Sequence, residues 1–459
     1  MSALGGAAAP VVILGFGGVL VLLLDLLWEG AATAQRAVAL VVLALGALAA
    51  LGVTAYPSGF HGAVLGDALA RITALLAVTG AAAAVVLPPP EAWRRRWSAY
   101  LALLLWSAAG MSLTGAAGNL IVLFLGIEVL SLPLYALVAF HLEDGRAAEA
   151  GFKYFLLGGA GAALLLYGAA LVYASGGSLV LDAAVRAPGV LGGLGLSLIV
   201  AGLGFKLALV PFQLWTPDVY EGAGTPVTAF MAVGTKAAAF AALARLATSG
   251  LGENPVWVGA VLVLGVLSMF AGYLLAIAQP GLKRLLAFSG VANAGTLVLA
   301  LLAPAAWRPA AFVYLAAYAA ASLGAFAVVS ALQPAPGSGT GPDDMGHLRG
   351  LARRHPWLAA AFFISLLSLA SVPPTGGFAG KFLLLQALAG SGRPLLAALV
   401  ALATLIALYP YFKLAAACLQ PADGEAPVLR ASAGWAVVAA LAAVATLAVG
   451  ILPGAVLHG

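Results

Sequence analysis

LALVPFQLWTP (207–217) places Pro211 in the second half of an apolar stretch that runs over residues 190–221, and SVPPTGGFAGKF (371–382) places Pro373 and Pro374 in the same way within 357–390. Both stretches exceed the roughly 20 residues that a helix needs to cross a bilayer. Proline has no N–H to donate and clashes with the turn before it, so both read as discontinuous helices. Within a bilayer such breaks survive only where protein or water satisfies the freed backbone groups, and a pair of them in two halves of a chain points to a transport site. Counted along the chain they are spans 7 and 12, five spans apart. That spacing fits two five-span repeats, and an odd number of spans inverts the second relative to the first.

Composition agrees. The 459 residues are 63% hydrophobic and 8% charged, with a mean hydropathy of +1.09, whereas a soluble chain carries about 25% charged residues. The fold class is therefore all-α integral membrane, with about fourteen transmembrane helices. Three spans precede the repeats (1–97), the first repeat covers 98–248, the second, inverted one 249–420, and one span follows (421–459). The first apolar stretch has no basic segment before it and no clear cleavage site, so it reads as a retained span. With the N-terminus outside, odd-numbered connections hold eleven basic residues, Arg94, Arg95 and Arg430 among them, and even-numbered ones hold Arg186, Arg308 and Arg393. That imbalance is the positive-inside pattern, and it puts both termini on the outer side. The polar segment 334–356, opening with PAPGSGTGPDD, reads as a cytoplasmic loop. A single cysteine, Cys418, excludes a cysteine-held cluster or zinc site and an internal disulfide. The histidines (61, 141, 347, 355 and 458) sit at span ends or in loops without ligand spacing. A net charge of +5, dispersed rather than blocked, gives nucleic-acid binding no support.

The basic residues partition unequally. Of fifteen arginines only Arg71 and Arg245 fall inside spans, whereas five of six lysines do: Lys153, Lys206, Lys236, Lys381 and Lys413, leaving Lys283 in a loop. Arginine stays protonated, while a buried lysine can give up its proton under working conditions. Glu128 in LFLGIEVLSLPLY is central in span 5, Lys206 and Lys236 are central in spans 7 and 8, and Lys381 follows the break in span 12. Each central charge costs at least about 2.5–3.5 kcal/mol on insertion scales, so four call for pairing or for function. The expected function is a proton relay in which Glu128 sets the charge of Lys206, Lys236 relays, and Lys381 exchanges the proton at the far end. Static ion pairing between helices is the alternative. Lys153 and Lys413 lie near span ends, within reach of the headgroups. Asp67 and Arg71, four apart, read as an ion pair along one helix, and Asp25 as interfacial. Gln213 and Asn293 are candidates for a water wire, with hydrogen-bonded packing as the alternative.

These segments resemble the antiporter-like membrane subunits of respiratory complex I, the bacterial NADH-quinone oxidoreductase. The resemblance rests on LFLGIEVLSLPLYALVAF (123–140), AGFKYFLLGGAGAALLLYGAALVY (150–173), GFKLALVPFQLWTPDVYEGAGTPVTAFMAVGTKAAAFAALARL (204–246), LKRLLAFSGVANAG (282–295) and SLLSLASVPPTGGFAGKFLL (365–384). It implies fourteen spans with two inverted repeats, and a site of Glu128, Lys153, Lys206, Lys236 and Lys381. It also implies a non-redox subunit of a proton-translocating enzyme, with flavin and iron–sulfur clusters, and the quinone, held by partner subunits. The implied partners are the other membrane subunits, the redox arm through them, and the lipid bilayer. Family members commonly carry His where Gln213 and Asn293 stand, and neither Gln nor Asn titrates. Lysine at span 12, where some sister subunits carry Glu, favours one branch of the family. A cation/proton antiporter subunit, a membrane-bound hydrogenase subunit and a non-conducting spacer are the alternatives. The richness in Ala, Gly and Arg suggests a bacterial chain, and hence the plasma membrane.

Overall fold

The computed structural model describes residues 6–28, 32–89, 93, 96–303, 307–333, 343–421, 428–429 and 432–454. Arg94, Arg95, Arg430, His458 and residues 334–342 of the polar segment lie outside them. Thirteen helices among the described residues are long and apolar enough to cross a membrane. The fourteenth expected span, 357–390, is two shorter helices, Pro356–Leu369 and Gly376–Gly390, because the chain breaks at 370–375, where Pro373 and Pro374 cannot continue a helix. The chain divides into two compact units: Met1–Val85 with Pro89–Trp215 and Gly222–Ala260, and Val86–Pro88 with Thr216–Glu221 and Val261–Gly459.

The first unit holds α1 (Ala9–Leu27), α2 (Ala32–Gly52), α3 (Ala68–Val86), α4 (Trp97–Gly115), α5 (Leu120–Val138), α6 (Gly145–Gly176) and α7 (Gly189–Leu207). After the first break come α8 (Trp215–Gly222), whose residues 216–221 group with the second unit, then α9 (Thr225–Phe230) and α10 (Lys236–Thr248), joined by a π-helical turn at Met231–Thr235. A short antiparallel hairpin, β1 (Ser58–Gly59) with β2 (Val64–Leu65), closes the end of α2. Asn119 caps α5 by accepting from the Val122 N–H at 2.8 Å. The α6 helix ends at Gly177, whose φ of 66° is the left-handed cap that glycine adopts without strain. Glycines also bring α6 and α7 together, since a Cβ on Gly168 would lie 2.6 Å from the Gly195 carbonyl. That approach of backbones, favoured where lipid gives no hydrophobic drive, sets α7 and hence Lys206 against α6. Apolar side chains such as Phe16 and Leu26 remain exposed on α1, as on a surface that meets lipid.

The second unit holds α11 (Pro255–Ile277) from Val261 onward, α12 (Leu282–Val298), α13 (Trp307–Ala331), the half-helices α14 (Pro356–Leu369) and α15 (Gly376–Gly390), α16 (Pro394–Leu419) and α17 (Gly434–Ile451). The strands β3 (Leu332–Gln333) and β4 (Val428–Leu429) pair antiparallel. The α13 helix packs on α14, α15 and α17, and α15 also packs on α16. Among the described residues, each unit has one span whose most apolar stretch is entirely buried: that of residues 225–248 in the first and that of residues 282–302 in the second.

The two breaks share one backbone pattern. At the first, Ala208 has φ 62°; its N–H reaches the Phe205 carbonyl at 3.0 Å, that of Leu209 reaches Gly204 at 2.8 Å, and that of Phe212 reaches Leu209 at 2.6 Å. At the second, Ser371 has φ 59°, and Ser371 to Ser368 (2.9 Å), Val372 to Leu367 (2.9 Å) and Thr375 to Val372 (3.2 Å) repeat the same connections. A cis peptide precedes Pro211 and Pro374 alike. Other freed groups are met by side chains: the Trp215 indole donates to Phe205 O at 3.0 Å, and Ser368 Oγ accepts from Gly377 N at 3.0 Å. The breaks thus satisfy their own backbone, as apolar surroundings require.

Candidate functional site

Lys206 is in the last turn of α7, where the break leaves carbonyls pointing onward and the negative end of the helix dipole faces a cation. It is 3% exposed. Its ammonium donates to Ser131 Oγ at 2.7 Å and Tyr135 OH at 3.2 Å, and it lies 5.3, 5.5 and 5.6 Å from the ring centroids of Tyr135, Tyr154 and Phe205. Ser131 donates its own proton to the Ile127 carbonyl, so it offers Lys206 a lone pair. The aromatic wall is built in turn: Tyr154 stacks on Trp215, centroids 4.7 Å apart, and Trp215 is the residue that closes the break.

Glu128, Ser131 and Tyr135 are spaced i, i+3, i+7 on α5 and so share one face. No ion pair joins Glu128 to Lys206 among the described residues, and Glu128 Oε1 is buried without a hydrogen-bond partner. The first contacts of Lys206 are neutral hydroxyls, which the sequence reading missed although their helical spacing from Glu128 signals them. Lys153 neighbours Tyr154 on α6, but its side chain is 41% exposed and pairs with Glu149 at 2.7 Å. Lys236 opens α10 directly after the π-helical turn. It is also 3% exposed, and no hydrogen-bond or ion-pair partner reaches its ammonium among the described residues. Gln213, beyond the first break, keeps its Oε1 buried and unpartnered.

In the second unit Lys381, again 3% exposed, lies in the second turn of α15. Its ammonium makes a long contact of 3.4 Å to Tyr273 OH and stands 5.7 Å from that ring's centroid. Tyr273 OH is 3.3 Å from Asn293 Oδ1, and Tyr314 OH donates to the same oxygen at 2.7 Å. Asn293 is thus fully engaged in hydrogen bonds within the buried span.

Other charged residues stand differently from expectation. Asp67 pairs with Arg245 through both carboxylate oxygens, at 2.8 Å for Nη2 to Oδ1, rather than with Arg71. Arg245 is buried at the end of α10, and its planar fork also reaches the Gly115 carbonyl, at 3.0 Å from Nε, so one guanidinium binds the carboxylate through both oxygens and a helix-end carbonyl together. Asp67 also caps α3, accepting from Leu69 N and Ala70 N at 3.1 and 3.0 Å. Lys283 is not a loop residue but part of the first turn of α12, buried and paired with Asp343 at 3.4 Å. Its neighbour Arg284 holds Asp218 and Glu221 at 2.7 and 2.8 Å. Lys413 donates to the carbonyls of Ile277 and Gln279 at 3.3 Å. Asp25 accepts from Gln35 and Ser98 at 2.7 and 2.8 Å. No three His, Cys, Asp or Glu side chains converge as metal ligands among the described residues, and Cys418 is buried alone.

The fold is that of the antiporter-like membrane subunits. A chain of the Mrp complex from Dietzia sp. superposes with a TM-score of 0.83 at 21% identity, over 98% of this chain and 95% of that one. A chain of respiratory complex I from Thermus thermophilus superposes at 0.86 with 38% identity, over 98% of both. Residues 117–407 match the family model described as NADH:quinone oxidoreductase/Mrp antiporter, transmembrane. NADH-quinone oxidoreductase subunit N 1 of Symbiobacterium thermophilum is 42% identical over 98% of this chain and 96% of its own, and its counterpart from Solidesulfovibrio magneticus is 42% identical over 91% and 88%. The chain belongs to the NADH:quinone oxidoreductase/Mrp antiporter family of membrane subunits, in the branch formed by subunit N of NADH-quinone oxidoreductase.

Proposed function

We propose that this chain is a proton-translocating subunit of a bacterial NADH-quinone oxidoreductase, carrying protons on Lys206, Lys236 and Lys381 while electron transfer from NADH to quinone proceeds in partner subunits. The observation that carries the reading is the burial of three lysines with no carboxylate in contact among the described residues. A permanent charge in that setting is costly, whereas a group that alternates between charged and neutral forms is what a relay needs. Glu128, on the same face of α5 as the two hydroxyls that hold Lys206, sets that lysine's charge when a neighbouring membrane subunit changes its own. Lys236 relays, and Lys381 exchanges the proton at the far end. Lys153 serves as an outer station and Gln213 orders water beyond the first break.

Residues 98–248 and 249–420 act as the two inverted repeats, a reading supported by the matching pattern of their breaks. Flavin, iron–sulfur clusters and quinone belong to partner subunits, and the chain works in the plasma membrane with both termini outside. The test is Lys236→Met in membranes that contain the whole complex. Assembly is expected to be normal, proton translocation lost, and coupled turnover slowed. Full translocation by an assembled Lys236→Met complex would overturn the relay.

A further inference from the structure

Asn293 has its side-chain orientation fixed by one contact. The amide atom 2.8 Å from the Ser289 backbone carbonyl has to be the nitrogen, because a carbonyl only accepts. Oδ1 therefore faces Tyr314 at 2.7 Å and Tyr273 at 3.3 Å, and both hydroxyls donate to it. Tyr273 has one proton. With that proton turned to Asn293 Oδ1 it presents a lone pair to Lys381, 3.4 Å away.

On its other side Nδ2 donates toward Ser289 Oγ and Tyr411 OH, each at 3.3 Å, and these two hydroxyls are 2.6 Å apart. Tyr411 also lines a cavity formed with Phe363, Leu366, Ala370 and Phe412. Hydroxyls pass protons by exchanging donor and acceptor roles, and imidazole does so through its two nitrogens. A primary amide does neither, since its oxygen accepts and its nitrogen donates.

We propose that Asn293 is a proton stop. It fixes Tyr273 as an acceptor for Lys381 and separates Lys381 from the Ser289–Tyr411 pair and the cavity beyond, so that protons exchanged at Lys381 take a route that does not cross Asn293. Neither Tyr273 nor Asn293 passes on a proton in this arrangement, and translocation does not depend on either. The inference rests on the relay role of Lys381 and goes beyond it by assigning which of that lysine's contacts does not conduct.

The experiment uses inverted vesicles containing the assembled complex and measures protons moved per electron, as a function of pH, for Lys381→Met, Tyr273→Phe, Asn293→Leu and Asn293→His. Lys381→Met is expected to lose translocation, while Tyr273→Phe and Asn293→Leu stay within about twofold of the parent. Asn293→His, which adds a group able to pass a proton, is expected to introduce a new step in the pH profile, and adding Tyr273→Phe to it removes that step by cutting the link to Lys381. Loss of translocation in assembled Tyr273→Phe, to the level of Lys381→Met, would show that the chain through Asn293 conducts and would overturn the stop. An unchanged pH profile in assembled Asn293→His would overturn it as well. Normal translocation by Lys381→Met would instead remove the relay role on which the inference rests. Tyr273→Phe, which deletes a single oxygen, keeps the test decisive where Asn293→Leu does not assemble.

Discussion

Ser131 and Tyr135 hold Lys206 with lone pairs rather than with charge, and that difference matters for the switching proposed for this lysine. A carboxylate in contact would lock the ammonium form, whereas a hydroxyl that already spends its proton on Ile127 can accept from either form of the lysine. A hydrogen bond to a charged group contributes about 1.5–3 kcal/mol. Ser131→Ala is therefore expected to lower the thermal midpoint of the purified complex, and to lower it much less in a Lys206→Met background. A double-mutant cycle by thermal denaturation reads that coupling. Asp67 is the contrasting case, a static pair. Burial pushes its carboxyl up, but the Arg245 hydrogen bonds and charge, with the amides of Ala70 and Leu69, outweigh that and hold it below its ordinary value. A carboxyl held lower in the folded state adds stability that is present above its unfolded value and is lost as the pH falls through the folded one. Asp67→Asn, which strands the buried Arg245, is expected to cost about 3 kcal/mol near neutral pH. The parent is expected to lose more midpoint than this variant on acidification below about pH 4, as followed by light scattering during heating.

At the scale of elements the matching breaks are the most informative feature. Proline in LALVPFQLWTP and SVPPTGGFAGKF made both legible as interruptions, because the lost N–H and the ring clash are local properties. The residues that take left-handed backbone were not legible, since Ala208 and Ser371 carry a Cβ that this conformation disfavours by about 1–2 kcal/mol, and only the closing hydrogen bonds hold them there. Ala208→Gly and Ser371→Gly are each expected to stabilise by about 1 kcal/mol, and by similar amounts because the same connections surround both. The thermal midpoints of the two variants check this, and a gain at one site alone would break the correspondence. The most deeply buried spans, those at residues 225–248 and 282–302, also escaped a reading by hydropathy. Their small residues, as in KAAAFAALARLAT (236–248), look no different from lipid-facing ones until packing is known. They carry Lys236 and Asn293, the residues on which the proposed relay and the proposed proton stop depend.

For the molecule as a whole, partners in the membrane are the expectation to test first. A tagged chain extracted gently from native membranes is expected to bring flavin and iron–sulfur subunits with NADH-quinone activity. Hydrophobic antiporter-like partners without redox proteins would shift the function to cation/proton exchange. The sequence alone determined the class of molecule, its span pattern, its two interrupted helices and the lysines inside it, because hydropathy, proline chemistry and the exclusion of charge from lipid act residue by residue. Only the tertiary structure decided which groups those lysines meet. Ser131 and Tyr135 at Lys206, Tyr273 and Asn293 behind Lys381, and Arg245 rather than Arg71 at Asp67 come from helices distant in sequence. Hydrogen bonds between them depend on distances of a few ångströms that helix packing sets, and no local pattern encodes those distances.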